Sequence, residues 1–553
     1  MISGAKLRTV LIFFLLSTCM VLIGVRLFFL QVKNSGYYRE LGRQQYEIKK
    51  ECLGPRALIV DRNGIPLAIN RQALSAFIIP KQVRDKSKLH TFLSEYFPSA
   101  LERWQAQPEG SFLFIKRRLT EEQCALIEQA GLPDIHLLHE PQRFYPLACA
   151  MPVVGTTNID NQGLFGIELL FDAQLAGSVH SMNLLKEARS GCYYFDKQVE
   201  HEGVAGAPVK LTLDSDLQFL VAQQLEKAVK VVNAQEGAVL VIDPATGHIH
   251  AMVQYPFFNP NEPETFQVEL SKNKIVTQAY ELGSVMKTFL ALALLEEKLI
   301  TLEEEIDCLN TTKTTLHGIP FTTTFAHGVL PFEQVVRKSN NIGCAKAAER
   351  IGKKLFEHYQ RLGFGKRTAL NWPGEQAGFI NPPQRWSKSS LIAQSFGYES
   401  MLTLLQLGQA FSMIAHNGQW VEPVLVIEPP HKPSPALGVQ RYSAQAIAQV
   451  KKILELTPEG LAPQWLAAFP GWRMFGKTGT ANMVIEGHYR FDHNIFTFAG
   501  ILERGTFKRV IIAFIKDALY KPGLLAVSVA RPLFDQVAHD IIVQELMTGN
   551  RTA

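Results

Sequence analysis

Three observations predict an α/β fold of the α+β kind, with a five-stranded antiparallel sheet between helices, a helical subdomain and a separate α+β domain behind one membrane helix. The chain opens on an apolar run long enough to span a bilayer. Two groups of β-prone runs, a pair near residue 240 and three near the C-terminus, are separated by a long helical region. At 553 residues the chain has room for two or three domains.

Lys6 and Arg8 precede Val10–Leu16, and the apolar character continues through Val25 to Leu30. Residues 9–30 reach the ~20 residues a spanning helix needs, with Arg26 near the end, where its stem can snorkel. No A-x-A-like cleavage site follows, so the run is expected to stay as an anchor behind a tail of residues 1–8. Lys33, Arg39, Arg43, Lys49 and Lys50 outnumber the basic residues before the span, so charge alone points mildly against an external domain.

Residues 31–208 mix strand-like runs such as Ala76–Ile79 with helical stretches such as Glu121–Ile127, and nothing catalytic concentrates there. From residue 209 the pattern changes. Leu217, Leu220, Val221, Leu225, Ala228 and Val232 recur at helical spacing behind Asp214 or Ser215 as a cap. Ala238–Ile242 and His248–Val253 flank the turn sequence Asp243-Pro244-Ala245-Thr246-Gly247, which reads as a hairpin. Met474–Ala481, Asn494–Leu502 and Arg509–Lys516 read as a meander that completes the sheet, and Val537, Ile541, Ile542 and Leu546 as a helix covering one of its faces. Residues 281–420 read mostly as helices, and Pro429–Pro435 as a surface loop.

The 56 basic and 51 acidic residues give a formal charge of +5 without a concentrated basic block, which argues against a nucleic-acid partner. The seven cysteines form no C-x-x-C pair and read mainly as small buried residues. His248 and His250 lack a third ligand in sequence, no Walker loop or G-x-G-x-x-G is found, and neither metal nor cofactor is inferred.

Chemistry concentrates in three short patterns. Ser284 and Lys287 form an S-x-x-K at the start of an apolar helix, where i, i+3 spacing puts amine and hydroxyl on one face. Burial there disfavours the ammonium, so the amine can take the serine proton. Ser339-Asn340-Asn341 offers a proton relay in Ser339 and an amide clamp in Asn341. Lys477-Thr478-Gly479-Thr480 lies in a predicted strand. Gly476 and Gly479 strip side chains from the strand there, so that a peptide can pair with its edge while Lys477 and the two threonines face a carboxylate. Ser3/Lys6, Ser271/Lys274 and Ser181/Asn183 satisfy the first two patterns as well, so order and context carry the weight.

In that order the patterns make the S-x-x-K, S-x-N, K-T-G set, and the chain resembles the class B penicillin-binding proteins. The likeness extends to Arg56–Ala68 (R-G-x-I-x-D-R-x-G-x-x-L-A, with Ala57 for glycine), Arg143–Pro146, Gly163–Glu168, and Leu211–Asp214 with Leu217-Gln218. Tyr280–Ser284 is similar to an E-P-G-S approach with Leu282 for proline, and Glu399 follows Gly397-Tyr398 where a small residue is common.

The resemblance implies the penicillin-binding transpeptidase fold over residues 209–553, a pedestal or dimerisation-type domain over 31–208, and a D,D-transpeptidase that joins peptidoglycan stem peptides ending in D-Ala-D-Ala. By the resemblance Ser284 is the nucleophile, Lys287 its base, Ser339 the relay and Asn341 the clamp, while Lys477, Thr478, Gly479 and Thr480 hold substrate and the Ser284 and Thr480 N–H groups form the oxyanion hole. It further implies β-lactam binding, a polytopic glycan polymerase and other division proteins as partners, and a single-pass inner-membrane protein with its catalytic domain in the periplasm at the septum. An elongation-type transpeptidase, a β-lactam-binding sensor or scaffold, and a D,D-carboxypeptidase or β-lactamase are the competing readings.

Overall fold

The computed structural model describes residues 4–53, 56–108, 110, 112–177, 179–186, 193–199, 205–427, 438–457, 462–518 and 525–549. The Pro429–Pro435 loop and Cys192 lie outside the described residues.

The chain forms two units, one of residues 1–56, 70–142 and 176–206, the other of 57–69, 143–175 and 207–553. Where the sequence suggests one boundary at 208–209, the chain passes between units several times. The reason is apolar: Ala57, Ile59, Leu67, Ala68, Tyr145, Val153 and Ile167 share a buried core with Leu211 and Leu213.

The first unit begins with helix α1 (Gly4–Phe28), continued by a π-turn over Phe29–Lys33. Lys6–Lys33 is long and apolar enough to cross a membrane and has no buried surface in the protein, which fits a membrane anchor. Beyond it, Leu89, Phe92, Leu93, Phe97 and Trp104 from two consecutive helices pack on Ala76, Ile78 and Ile115 from paired strands.

The second unit supplies helix α2 (Ser215–Val231), strands β1 (Ala234–Ile242) and β2 (Ile249–Tyr255), and helices α3 (Lys287–Glu296), α4 (Asn341–Ile351), α5 (Leu404–Ala415) and α6 (Ala444–Leu454). Strands β3 (Arg473–Ile485), β4 (His488–Arg504) and β5 (Phe507–Ala518) and helix α7 (Ala530–Gly549) complete it. The sheet is antiparallel throughout, in the order β2-β1-β5-β4-β3, so β3 is an edge strand. Alternation along each strand feeds two cores. Leu240, Ile242, Ile512 and Phe514 pack with α3 and α5 on one face. Val239, Val241, Ile511 and Ala513 pack with Leu217, Val221 and Leu225 of α2 and Phe534, Val537 and Ile541 of α7 on the other.

Asp214 caps α2 by accepting from Leu217 N at 3.0 Å. Asp61 holds the adjoining residue, accepting from Ser215 Oγ at 2.8 Å while also accepting from the N–H groups of Asn63 and Ile65 at 2.8 Å each. The D-R-x-G segment is thus a turn clamped onto the start of α2. Arg143 and Glu168, both buried, pair at 2.7 Å.

The region read as mostly helical also contains short strands, among them two pairs before the S-x-N: Glu305–Asp307 with Val329–Pro331, and Lys313–Leu316 with Ile319–Thr322. The second pair turns through His317 and Gly318, both with positive φ, as a two-residue hairpin loop requires.

Candidate active site

Ser284 does not open α3 directly. It lies in a 3-10 turn, Gly283–Met286, and Lys287 is the first residue of the helix. The turn sits against β3 with no room for side chains between them: a Cβ on Gly283, whose φ is +56°, would come within 2.4 Å of Thr480 O, and one on Gly479 within 2.3 Å of Leu282 O. The bareness of Gly479 therefore serves the packing of the serine turn on the strand. Gly476 likewise faces the Phe498 ring, 2.4 Å from where its Cβ would be.

Helix α3 is buried from Lys287 to Leu295, and the Lys287 side chain is wholly enclosed. Its Nζ donates to Ser339 O at 2.7 Å, Asn341 Oδ1 at 2.5 Å and Ser339 Oγ at 3.1 Å. Among the described residues no hydrogen bond joins it to Ser284 Oγ. Two of the three acceptors are carbonyl oxygens, which need N–H donors; the third is a hydroxyl, which can equally donate. A neutral amine keeps both carbonyl contacts and turns its lone pair to a hydroxyl. Burial favours that form, pushing the Lys287 amine down to about 8.

Ser339 adopts φ of +59°, a backbone conformation a non-glycine residue holds only when its surroundings impose it. Asn340 caps α4 by accepting from Gly343 N at 2.9 Å. Asn341 is fixed from the short hairpin, its N–H donating to Thr323 Oγ1 at 3.1 Å and its Nδ2 to Thr322 O at 2.6 Å. Sequence reasoning missed these two threonines; the β-branched run Thr322-Thr323-Thr324 before the S-x-N was the available signal.

Lys477 is 4% exposed, and burial first, then the nearby Lys287 charge, push its amine down to about 7. Its Nζ lies 3.2 Å from Thr478 O. Thr480 Oγ1 accepts from Ala526 N at 3.3 Å. Cys344 on α4 is buried beside both lysines, and desolvation pushes its thiol up. Of the other cysteines, Cys149 and Cys308 are buried and Cys124 partly so. Lys274 of the competing S-x-x-K instead pairs with Glu236 at 2.8 Å.

Glu281 gathers the rim of the site. Its Oε1 accepts from Glu399 N at 2.9 Å and Tyr489 OH at 3.2 Å, and burial pushes its carboxyl up. Glu399, at φ +52°, is held by Asn381 Nδ2 at 2.6 Å. His250, buried and pushed down to about 2, takes Arg62 on its ring nitrogens and stands apart from this chemistry.

A serine on a tight turn, a buried amine tied to an S-x-N loop and a second buried amine on the adjoining edge strand form one cluster. The sequence matches the penicillin binding protein transpeptidase domain over residues 237–535 and the penicillin-binding protein dimerisation domain over residues 52–211. The chain belongs to the penicillin-binding protein transpeptidase family. It is 28% identical over 517 residues to the probable peptidoglycan D,D-transpeptidase PenA of Neisseria meningitidis, covering 92% of this chain and 88% of the relative. It is 29% identical over 476 residues to the peptidoglycan D,D-transpeptidase FtsI of Escherichia coli, covering 84% and 79%. Penicillin binding protein 3 from Mycobacterium tuberculosis, solved in complex with aztreonam, superposes with a TM-score of 0.67 at 26% identity, covering 90% of this chain and 97% of that one.

Proposed function

We propose that this chain is a membrane-anchored peptidoglycan D,D-transpeptidase of septal cell-wall synthesis, acting through a serine acyl-enzyme and open to acylation by β-lactams. The observation that carries the reading is the enclosed Lys287 amine, which ties the Ser284 segment to Ser339 and Asn341 with Lys477 close by.

The neutral Lys287 amine accepts the Ser284 proton as Oγ bonds to the penultimate D-alanine carbonyl carbon. To do so Nζ gives up its longest contact, the one to Ser339 Oγ. The N–H groups of Ser284 and Thr480 stabilise the oxyanion. As the C–N bond to the terminal D-alanine breaks, Ser339 relays the proton to the departing nitrogen. Asn341 orients the donor amide, and Thr478, Thr480 and Lys477 hold the terminal carboxylate beside Gly479. An amine of a neighbouring stem then displaces Ser284 and releases the cross-linked product.

Similarity to FtsI and to penicillin binding protein 3 supports the division branch. The apolar helix supports a membrane anchor; in this reading the anchor is held in the inner membrane, the catalytic unit works in the periplasm, and a separate polytopic polymerase supplies the glycan strands. The test is mass spectrometry of products from a donor stem pentapeptide and an acceptor stem peptide given to the detergent-solubilised chain. A cross-linked dimer with loss of one alanine is expected. Hydrolysed donor alone would make the protein a carboxypeptidase.

A further inference from the structure

The outer edge of β3 is occupied at one end only. Leu456 N donates to Met474 O at 2.9 Å, and Glu455 bridges antiparallel to Phe475. From Gly476 to Thr480 no main-chain partner among the described residues takes that edge. An extended peptide that adds there antiparallel to β3 points its C-terminus back toward Phe475 and runs into Glu455–Thr457. A donor whose scissile carbonyl meets Ser284, against Gly479 and Thr480, has one residue left beyond it, about 3.4 Å of chain before its end group. That group falls beside Thr478.

A cleft of about 60 Å³ lies at this place, lined by Arg337, Thr457, Gly476, Lys477, Thr478 and Phe498 among others. Arg337 ends the short helix Phe332–Arg337, two residues before Ser339. One arm of its guanidinium is anchored by a bond to Lys452 O at 2.8 Å, while its Nε is buried without a hydrogen-bond partner. The carboxylates nearby are engaged by other cations: Glu455 by Arg473 at 2.8 Å, Glu503 by Lys451 at 2.5 Å and Glu333 by Lys452 at 3.6 Å. Among the described residues none pairs with Arg337. A fixed, unpaired guanidinium at the closed end of a peptide-binding edge is suited to a carboxylate.

We propose that Arg337 recognises the terminal carboxylate of the donor stem and, with Glu455–Thr457 as a wall, restricts the enzyme to donors that end one residue beyond the scissile bond. This rests on the D,D-transpeptidase reading and adds to it a specificity-determining residue outside the three motifs. Replacing the carboxylate by a carboxamide keeps size and shape but removes the charge, and so isolates what Arg337 contributes.

The experiment compares kcat/KM for donors ending in D-Ala-D-Ala and in D-Ala-D-alaninamide, in the full chain and in Arg337→Gln and Arg337→Lys. Wild type is expected to favour the free acid by about tenfold or more, as a charge-assisted bond implies. Arg337→Gln should lose that preference through a fall on the acid alone, and Arg337→Lys should recover part of it. An undiminished acid preference in Arg337→Gln, or an equal fall on both donors, overturns the proposal. β-lactam labelling at Ser284 in the same preparations separates the two levels: absence of labelling in wild type breaks the transpeptidase reading itself, whereas labelling with unchanged preference breaks only the role of Arg337.

Discussion

Lys287 Nζ lies 2.7 Å from the main-chain oxygen of Ser339, a residue held at φ +59°. The left-handed turn at Ser339 presents its carbonyl and its hydroxyl to the same nitrogen. This contact joins the first two motifs more tightly than the serine and lysine of the first are joined to each other. It orients the amine, and the oxygen it cannot surrender is the carbonyl.

Lys287→Met should therefore remove the proposed base while keeping an enclosed side chain of similar length. Acylation by a β-lactam at neutral pH is expected to fall by about 10²–10⁴-fold, the usual contribution of a positioned general base. Stopped-flow acylation kinetics, with circular dichroism to confirm folding, measure it; an undiminished rate in the folded variant assigns the base elsewhere.

The acylation rate should climb with pH through about 8, since burial holds the Lys287 amine below the ordinary lysine value and only the neutral form has a lone pair to accept the serine proton. Below the inflexion the rate should drop about tenfold per pH unit as that form is titrated away. A flat profile from pH 6 to 9 contradicts this role.

Much of this was legible in the sequence. The uninterrupted apolar runs Val239–Ile242 and, in β5, Val510–Ile515 announce strands, and the structure buries both faces of each. The i, i+3 spacing of Ser284 and Lys287 announces a shared face, although the serine occupies a 3-10 turn and the lysine nitrogen swings to the S-x-N loop. Contacts set by distant segments were not legible. No local pattern says that Thr322 and Thr323 hold Asn341, that Arg337 reaches the end of β3, or that residues 57–69 and 143–175 join the C-terminal core. The glycine in K-T-G was visible as a bare position, but only the structure shows that the carbonyl of Leu282 fills it.

Thr323→Val should loosen Asn341 without touching the nucleophile, because it deletes the acceptor for the Asn341 N–H. A loss of about 1 kcal/mol in stability is expected, together with a several-fold slower acylation at unchanged pH inflexion. Thermal unfolding and the pH–rate profile are the measurements, and wild-type values in both would show that the hairpin does not position the clamp.

Gly283→Ala should be far more damaging than its size suggests. The position has φ of +56°, and the new Cβ would press on Thr480 O at 2.4 Å. Either β3 or the serine turn must shift, which disturbs the proposed oxyanion hole of the Ser284 and Thr480 N–H groups. Acylation should fall at least tenfold, about 1.4 kcal/mol in the barrier, with the fold retained by circular dichroism.

Arg143→Ala removes the 2.7 Å ion pair that Arg143 makes with the buried Glu168, and should cost about 3–5 kcal/mol of stability. Chemical denaturation reads the loss. The fraction that stays folded should acylate at the wild-type rate, so slowed chemistry in that fraction would tie the Arg143–Glu168 pair to the active site.

The central claim is that Ser284 is the group acylated. Intact-mass analysis of the full-length chain after exposure to a β-lactam, followed by peptide mapping, tests it most directly. One adduct on the peptide containing Ser284, absent in Ser284→Ala, is the predicted result; an adduct on another residue, or equal labelling of both proteins, contradicts the account.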